Sequence, residues 1–338
     1  MITRTQSEIM SEWKGDVNRP LVSINCITYN HESYVADALD GFLIQQTNFP
    51  FEILVHDDAS PDKTADIIRE YEKRFPAIIK AICQIENQVS KGKDVLRINS
   101  ERSKGKYIAI CEGDDFWTDP QKLQIQVDWL ESHPDYSMCF HGAAVKFENN
   151  LHNTEAEHNL VENKDYTAKD VLTHWLNPTA AMVMKRECAL FPYKNPKDIL
   201  TGDLFLCLAC LSMGKIRGIN RIMSVYRVTS SGFTHNPIYK KRNLLKFPNN
   251  YECLKENFPF IPSHEINKIL AFHYWRRASV QPTLKLSLMD RRKAFLTAPI
   301  VAFLMIFRPS VMFCIKVLSV FFDENKIRAF VKKITAKV

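Results

Sequence analysis

Short, continuous apolar runs alternate with longer amphipathic stretches through the first two thirds of the chain. Residues 21–28 (LVSINCIT), 51–56 (FEILVH), 78–85 (IIKAICQI) and 107–111 (YIAIC) are short and rich in β-branched side chains. They read as buried strands. Between the first two, Val35, Ala38, Leu39, Phe42 and Leu43 fall on one helical face. A second helix is expected over residues 60–75, with Ser60 as N-cap and Pro61 at its first position, and a third near residues 94–102. Asp119 and Pro120 repeat the same start signal before Leu123, Val127 and Leu130. Strand–helix alternation with short loops predicts an α/β fold, a mostly parallel sheet with helices on both faces. Further strands are expected at residues 136–147, 177–184 (with a kinked entry) and 222–228. Helices are expected at 167–175 and 204–211, and the pattern is helical from about residue 236 onward.

Folds of this class place ligands beyond the carboxyl ends of their strands. Three polar groups fall there: Thr28-Tyr29-Asn30, Asp57-Asp58, and Glu112, Asp114 and Asp115 in the stretch CEGDDFW. Three carboxylates within four positions at the end of a buried strand repel each other and need a cation or partner. The expected role of this loop is to hold a divalent metal and, through it, a diphosphate. No GxGxxG follows the first strand, which disfavours a dinucleotide-binding domain. No GxxxxGK[ST] occurs, which removes a P-loop.

Charge changes the picture at the C-terminal end. Residues 276–338 carry thirteen Lys/Arg against three Asp/Glu, a local +10, so the rest of the chain, with 32 basic and 35 acidic side chains, carries −3. The positive charge is interleaved with Phe, Ile, Leu and Met, which fits an anionic membrane surface better than nucleic acid. The apolar stretch 294–322 is interrupted by Pro299, Arg308, Pro309 and Lys316, so a monotopic surface element is expected rather than a spanning helix, with a basic amphipathic helix packed on the domain as the alternative. Residues 1–20 are polar, without an apolar signal-peptide core. The expected location is therefore cytoplasmic, peripheral on the inner face of the membrane. Nine scattered cysteines, an odd number, read as reduced thiols, and Cys207-x-x-Cys210 within LFLCLACL reads as core packing.

PLVSINCITYNH, FEILVHDDASPDKT and KGKYIAICEGDDFW together resemble glycosyltransferase family 2, the inverting enzymes of GT-A fold that use nucleotide sugars. The resemblance covers roughly residues 18–232. It implies a transferase domain over 20–235, while the polar composition of 1–19 suggests a flexible arm and the pattern and charge of 236–338 a helical, basic, membrane-associated extension. It also implies site roles. Thr28, Tyr29 and Asn30 border the nucleobase and ribose, and Asp58 accepts a hydrogen bond from the base, as suits a uracil N–H. Glu112 stands in the first slot of the family's Asp-x-Asp element, a departure from its pattern, and faces the ribose or a metal-bound water. Asp114 ligates Mn²⁺ or Mg²⁺, with His235 a further candidate as a metal or diphosphate contact, and Asp115 orients the loop or assists the metal. Asp203, at the start of an apolar helix, fills the place of the base that deprotonates the acceptor hydroxyl, with Gly202 where the family usually has Glu. Tyr226-Arg227 and the segment after them resemble a loop that closes over the donor. Lys93 or a basic residue in 229–242 is left open as a partner of the leaving group. Trp117 either floors the sugar site or packs in the core.

The function so implied is transfer of a sugar from a nucleotide sugar, UDP-linked in the leading reading, to a glycan or lipid-linked acceptor in surface polysaccharide synthesis. A sugar nucleotidyltransferase is the rival within α/β enzymes, but it calls for a Gly/Arg/Lys-rich phosphate loop where Tyr-Asn-His-Glu-Ser stands. A non-catalytic nucleotide- or glycan-binding module is the third reading, and Asp58, Asp114 and Asp203 argue against it.

Overall fold

The computed structural model describes residues 3–148, 157–173, 178–229, 237–280, 284–299 and 302. The chain divides into two compact units, one of residues 1–192 and 202–235, the other of 193–201 and 236–338.

The first unit opens with α1 (Gln6–Met10), closed by a capping box between Thr5 and Glu8. The expected loose arm is thus anchored. Ile9 is buried in the core, and the Trp13 ring packs edge-on against Phe51 with centroids 5.1 Å apart. The chain then runs through β1 (Val22–Thr28), α2 (Val35–Leu43), β2 (Phe51–Asp57), α3 (Thr64–Arg74), β3 (Ile79–Cys83), α4 (Val95–Arg102), β4 (Tyr107–Ile110) and β5 (Phe116–Trp117). It continues through α5 (Lys122–Ser132), β6 (Tyr136–Phe147), β7 (Glu157–Asn159), β8 (Asp165–Tyr166), α6 (Ala168–Thr173), β9 (Val183–Lys185), α7 (Arg186–Ala189), α8 (Gly202–Met213) and β10 (Lys215–Val228).

One ten-stranded sheet has the order β3-β2-β1-β4-β9-β6-β10-β5, with β7 added to β6 and β8 to β10. β1, β2, β3 and β4 pair in parallel, as do β6 and β10. β1 and β2 lie in the middle of this parallel set and are buried along almost their whole length, and the polar side chains they carry inside are hydrogen-bonded: Ser23 donates to Glu52 at 2.6 Å and Asn25 to Ser100 at 3.1 Å. β9 runs antiparallel between β4 and β6. That reversal brings the turn before β9 to the carboxyl end of β4, beside the acidic loop. A polar network seats α4: Asn99 donates to the carbonyls of Cys26 and Leu54, and Arg102 to those of Val55 and Lys80. α2 approaches β5 through Gly41, where a Cβ would stand 2.8 Å from the Trp117 backbone nitrogen and oxygen.

Two predicted helix starts move. Pro61 lies in a turn, and α3 begins at Thr64, because Ser60 is drawn into the loop below. α5 begins at Lys122. Asp119 instead accepts from the Gln121 N–H at 2.9 Å and pairs with Arg221 at 2.6 Å. Thr167 does cap its helix, reciprocally with Asp170. Cys207 and Cys210 are free and buried.

The second unit holds α9 (Pro237–Asn257), α10 (Ser263–Ala278) and α11 (Leu284–Thr297). His273 of α10 stacks on Phe247 and Tyr251 of α9, and Arg277 of α10 makes a two-pronged ion pair with buried Asp290 of α11 at 2.6 and 2.9 Å. Among the described residues no helix is long and apolar enough to cross a membrane.

Candidate active site

The site is built at the carboxyl ends of β1, β2 and β4, closed by the turn before β9 and the end of β10. Asp57 ties the first two loops together. Its carboxylate accepts from the Thr28 hydroxyl at 3.1 Å, from the Ser60 hydroxyl and from the Ser60 N–H at 3.1 Å. Ser60 in turn accepts from the Asn30 N–H at 2.9 Å. The tight path puts Asn30 at φ 58° and Ala59 at φ 61°. Asparagine tolerates that left-handed geometry, whereas alanine is strained in it. Tyr29 is 46% exposed at the rim. Asp58 is buried, and its two oxygens accept from the N–H groups of Gln88 at 2.7 Å and Val89 at 3.1 Å. Each oxygen keeps a second lone pair.

The acidic loop leaves β4 still attached to β1, through N–H donations from Cys111 to Asn25 and from Gly113 to Ile27. Gly113 is required by space. A Cβ there would lie 2.4 Å from Thr28 Cγ2 and 3.0 Å from His31 Nδ1. The three acids then diverge. Glu112 accepts from the Thr179 hydroxyl in the turn before β9. Desolvation pushes its pKa up to about 7 against the pull of that bond, and the charges of Asp114 and Asp203 push the same way. Asp115 is buried and accepts from the Arg227 N–H at 2.8 Å. Burial first, then Asp114 and Glu112, raise its pKa well above the carboxylate range. Asp114 remains partly open to solvent, with His31 Nε2 3.7 Å from its Oδ2.

Arg227 is the positive counterpart. Its guanidinium donates to the Asp114 carbonyl at 2.9 Å, to Glu148 at 3.1 Å and to Asp37 on α2. Its Cζ lies 4.4 Å from the Phe116 ring centroid and 5.1 Å from that of Tyr34. Asp203 sits in the first turn of α8, where its carboxylate accepts from the Leu204 N–H at 2.8 Å. It is partly exposed, yet desolvation raises its pKa.

The structure therefore groups Glu112, Asp114, Asp115 and Asp203 electrostatically, and gathers Thr28, Asn30 and Asp58 around the β1–β2 loops. Trp117 is buried, in contact with Phe42, with its indole N–H donating to the Ala180 carbonyl at 2.8 Å. It belongs to the core, not to the floor of a sugar site. Lys93 is exposed. His235 and the loop of residues 230–236 lie outside the described residues. His31, Thr179, Asp37 and Glu148 carry no sequence signal for the site; the topology alone brings them to it. An open cleft of about 700 Å³, lined by Lys104, Lys106, Arg186 and Met213 among others, lies at the amino ends of the strands, away from the acids.

Among the described residues no group of three or more His, Cys, Asp or Glu is arranged to hold a metal ion. A hard divalent cation that completes its shell with water and substrate phosphates needs only one or two carboxylates. Crowded acids with raised pKa values, balanced by one arginine, fit such an ion.

Residues 23–189 match the sequence profile of "Glycosyl transferase family 2". An uncharacterised protein of Mycobacterium tuberculosis is 35% identical over 224 residues, covering 65% of this chain and 62% of that protein. The glycosyltransferase TuaG of Bacillus subtilis, whose name places it in teichuronic acid biosynthesis, is 26% identical over 67% of this chain and 84% of its own. Among solved structures, Staphylococcus aureus TarS residues 1–349 with UDP-GlcNAc gives a TM-score of 0.57 at 14% identity, over 83% of this chain and 82% of that one. The mannosyltransferase PcManGT of Pyrobaculum calidifontis, with GDP-Man and Mn²⁺, gives 0.53 at 16% identity, over 96% and 90%. The fold is of the GT-A type, and through residues 23–189 the chain carries a glycosyl transferase family 2 domain.

Proposed function

We propose that this chain transfers a glycosyl group from a nucleotide sugar to an acceptor hydroxyl with inversion. The observation that carries the reading is the proximity of two acidic groups. Glu112, Asp114 and Asp115 crowd the end of β4, and Asp203, partly exposed with a raised pKa, lies close enough to add to the Glu112 shift. The first group suits the diphosphate end of a donor and the second the acceptor end.

Asp114, the most open of the three, would hold Mn²⁺ or Mg²⁺, with Asp115 supporting the loop. The ion, when bound, stabilises negative charge on the departing diphosphate. Asp58, Thr28, Tyr29 and Asn30 frame the nucleoside. Arg227 keeps the acidic loop in place through two of its members. Asp203 takes the acceptor hydroxyl proton as the new C–O bond forms at the anomeric carbon and the bond to the diphosphate breaks on the opposite face. UDP and GDP sugars are both represented among the structural neighbours, and UDP is the leading donor. A glycan or lipid-linked acceptor in surface polysaccharide synthesis accords with the name of TuaG.

The test is incubation of the purified chain with a panel of UDP and GDP sugars, Mn²⁺ and candidate acceptors. Free nucleoside diphosphate is expected, and it should disappear in Asp114→Ala and Asp203→Ala. Release of pyrophosphate instead would assign a nucleotidyltransferase, and tight nucleotide binding without turnover a binding module.

A further inference from the structure

On the side of the sheet covered by α5, four buried polar atoms close to the acidic loop have no hydrogen-bond partner among the described residues: Lys122 Nζ, Gln126 Oε1, His141 Nε2 and Ser224 Oγ. All four residues are 0% exposed. Lys122 and Gln126 are one turn apart and share a helix face. Gln126 Nε2 donates to the carbonyls of Cys139 at 3.1 Å and Ala181 at 3.0 Å, which lays that face on β6. His141 and Ala143 follow Cys139 at two-residue steps on the same side of the sheet. Ala143 is the register partner of Ser224 on β10, and Ser224 is the partner of Trp117 on β5. Lys122 Nζ stands 3.9 Å from the Trp117 ring centroid, and its charge reaches His141.

The hydrogen-bonding inventory of these atoms is selective. His141 Nδ1 lies 2.7 Å from the Gly142 carbonyl. It therefore carries the proton, and Nε2 is a bare acceptor. Gln126 Oε1 is a second acceptor. The Lys122 amine and the Ser224 hydroxyl are donors. Two donors and two acceptors are the complement of one water molecule. An anion would leave both acceptors opposed to it, and a metal cation would face the amine. Burial lowers the Lys122 pKa to about 7, which agrees with an amine lacking any carboxylate partner. Buried orphan groups of this kind are costly, and ordered internal water is their usual remedy.

We propose that Lys122, Gln126, His141 and Ser224 enclose a buried water site that seats Trp117, and that Lys122 is a positioning residue for the transfer reaction. Trp117 follows Asp115 by two positions, and its indole N–H holds Ala180, the neighbour of the Thr179 that grips Glu112. A fixed Trp117 thus holds the acidic loop from both sides. The second half of the proposal rests on the glycosyl-transfer reading, whereas the first does not.

Crystals of the full chain, native and bromide-soaked, test the site. One water-sized peak within hydrogen-bonding distance of the four atoms is expected, with no anomalous bromide signal. An empty space or a bromide peak overturns it. Lys122→Met tests the positioning role, with turnover expressed per folded molecule counted by nucleotide binding. The expected result is a fall in kcat of about ten-fold, on the scale of a slightly misplaced site, with donor KM little changed. An unchanged kcat per folded molecule overturns that half. Should Lys122→Met not fold, Ser224→Ala, which removes only one donor to the water, carries the same comparison with a smaller expected loss. A chain that turns over no donor sinks the transfer reading, while the crystals still decide the water site.

Discussion

Asp203, the proposed base, illustrates how one environment can serve chemistry at the expense of stability. Burial raises its pKa, so the folded state holds the Asp203 proton more tightly than the unfolded state does. A base acts only when ionised, so kcat/KM should rise with pH along an acid limb above the ordinary carboxylate range. The stability sign is opposite. The contribution of this carboxyl is fully present below its unfolded pKa and is lost as pH rises through the raised folded value. Asp203→Asn should therefore cut turnover by about 10²–10⁴-fold, yet melt higher than the wild type at neutral pH, with the gap closing on acidification. A lower neutral-pH melting temperature in the Asn variant would contradict this account. Gly113 is constrained by space alone. Gly113→Ala must displace Thr28 or His31, and an overpacked site of this kind costs about 1–3 kcal/mol. Chemical denaturation should show that loss, and turnover should fall with it because the displaced atoms belong to the first strand's loop. The three acids were legible as a cluster because neighbouring carboxylates are rare at the end of an apolar run. His31 and Thr179 are ordinary residues in sequence, and only the folded chain brings them against those acids. Arg227 stands out in sequence as part of a donor-closing loop, but its contacts with Asp114 and Asp115 do not.

At the level of elements, strand-length runs rich in apolar residues revealed β1, β2, β4 and β6, which are buried over most of their length. β10 was half missed. Its first half, residues 215–221, reads KIRGINR, a polar pattern typical of a sheet margin rather than a core strand. The direction of β9 was not legible either, since hydrophobicity does not encode strand polarity. The helix-start signals at Ser60 and Asp119 failed for a common reason. Each side chain found a stronger local partner, Asp57 and Arg221 respectively, and the helix began a few residues later. In the helical unit, the α9–α10 contact carries its own pH sensitivity. His273 is stacked between Phe247 at 4.6 Å and Tyr251 at 4.8 Å, and burial, then Arg276, lower its pKa to about 4. It is neutral in the fold. Its contribution is present above the unfolded value of about 6.5 and is lost as pH falls toward 4, a swing on the order of 3 kcal/mol. Urea unfolding at pH 7 and pH 5 should show this loss, and His273→Phe should reduce it. Equal pH dependence in the two proteins would rule His273 out as the source.

For the whole molecule, the N-terminal transferase unit is acidic and the C-terminal part basic, and we propose that the second serves location at a membrane. α11 exposes Leu286, Leu288, Met289 and Leu296. Lys285, Arg291, Arg292 and Lys293 are exposed on the same helix. Most of the apolar stretch that follows, with the remaining basic residues, lies outside the described residues, so α11 carries the structural support for a membrane contact. Each Lys or Arg near an anionic leaflet contributes about 1 kcal/mol, screened by salt, and inserted leucines add an apolar term that salt does not remove. The two terms predict separable behaviour. The full chain should co-sediment with vesicles containing anionic phosphatidylglycerol and much less with neutral phosphatidylcholine. High salt should weaken binding without abolishing it, because the apolar term persists. Leu288→Glu combined with Leu296→Glu changes two exposed side chains, leaves the Arg277–Asp290 pair intact, and should release the protein at low salt. Binding that ignores lipid charge would remove the electrostatic half of the argument. Binding that survives the double substitution would move the contact away from α11. Sedimentation with neither vesicle would leave the basic end of this chain without a membrane role.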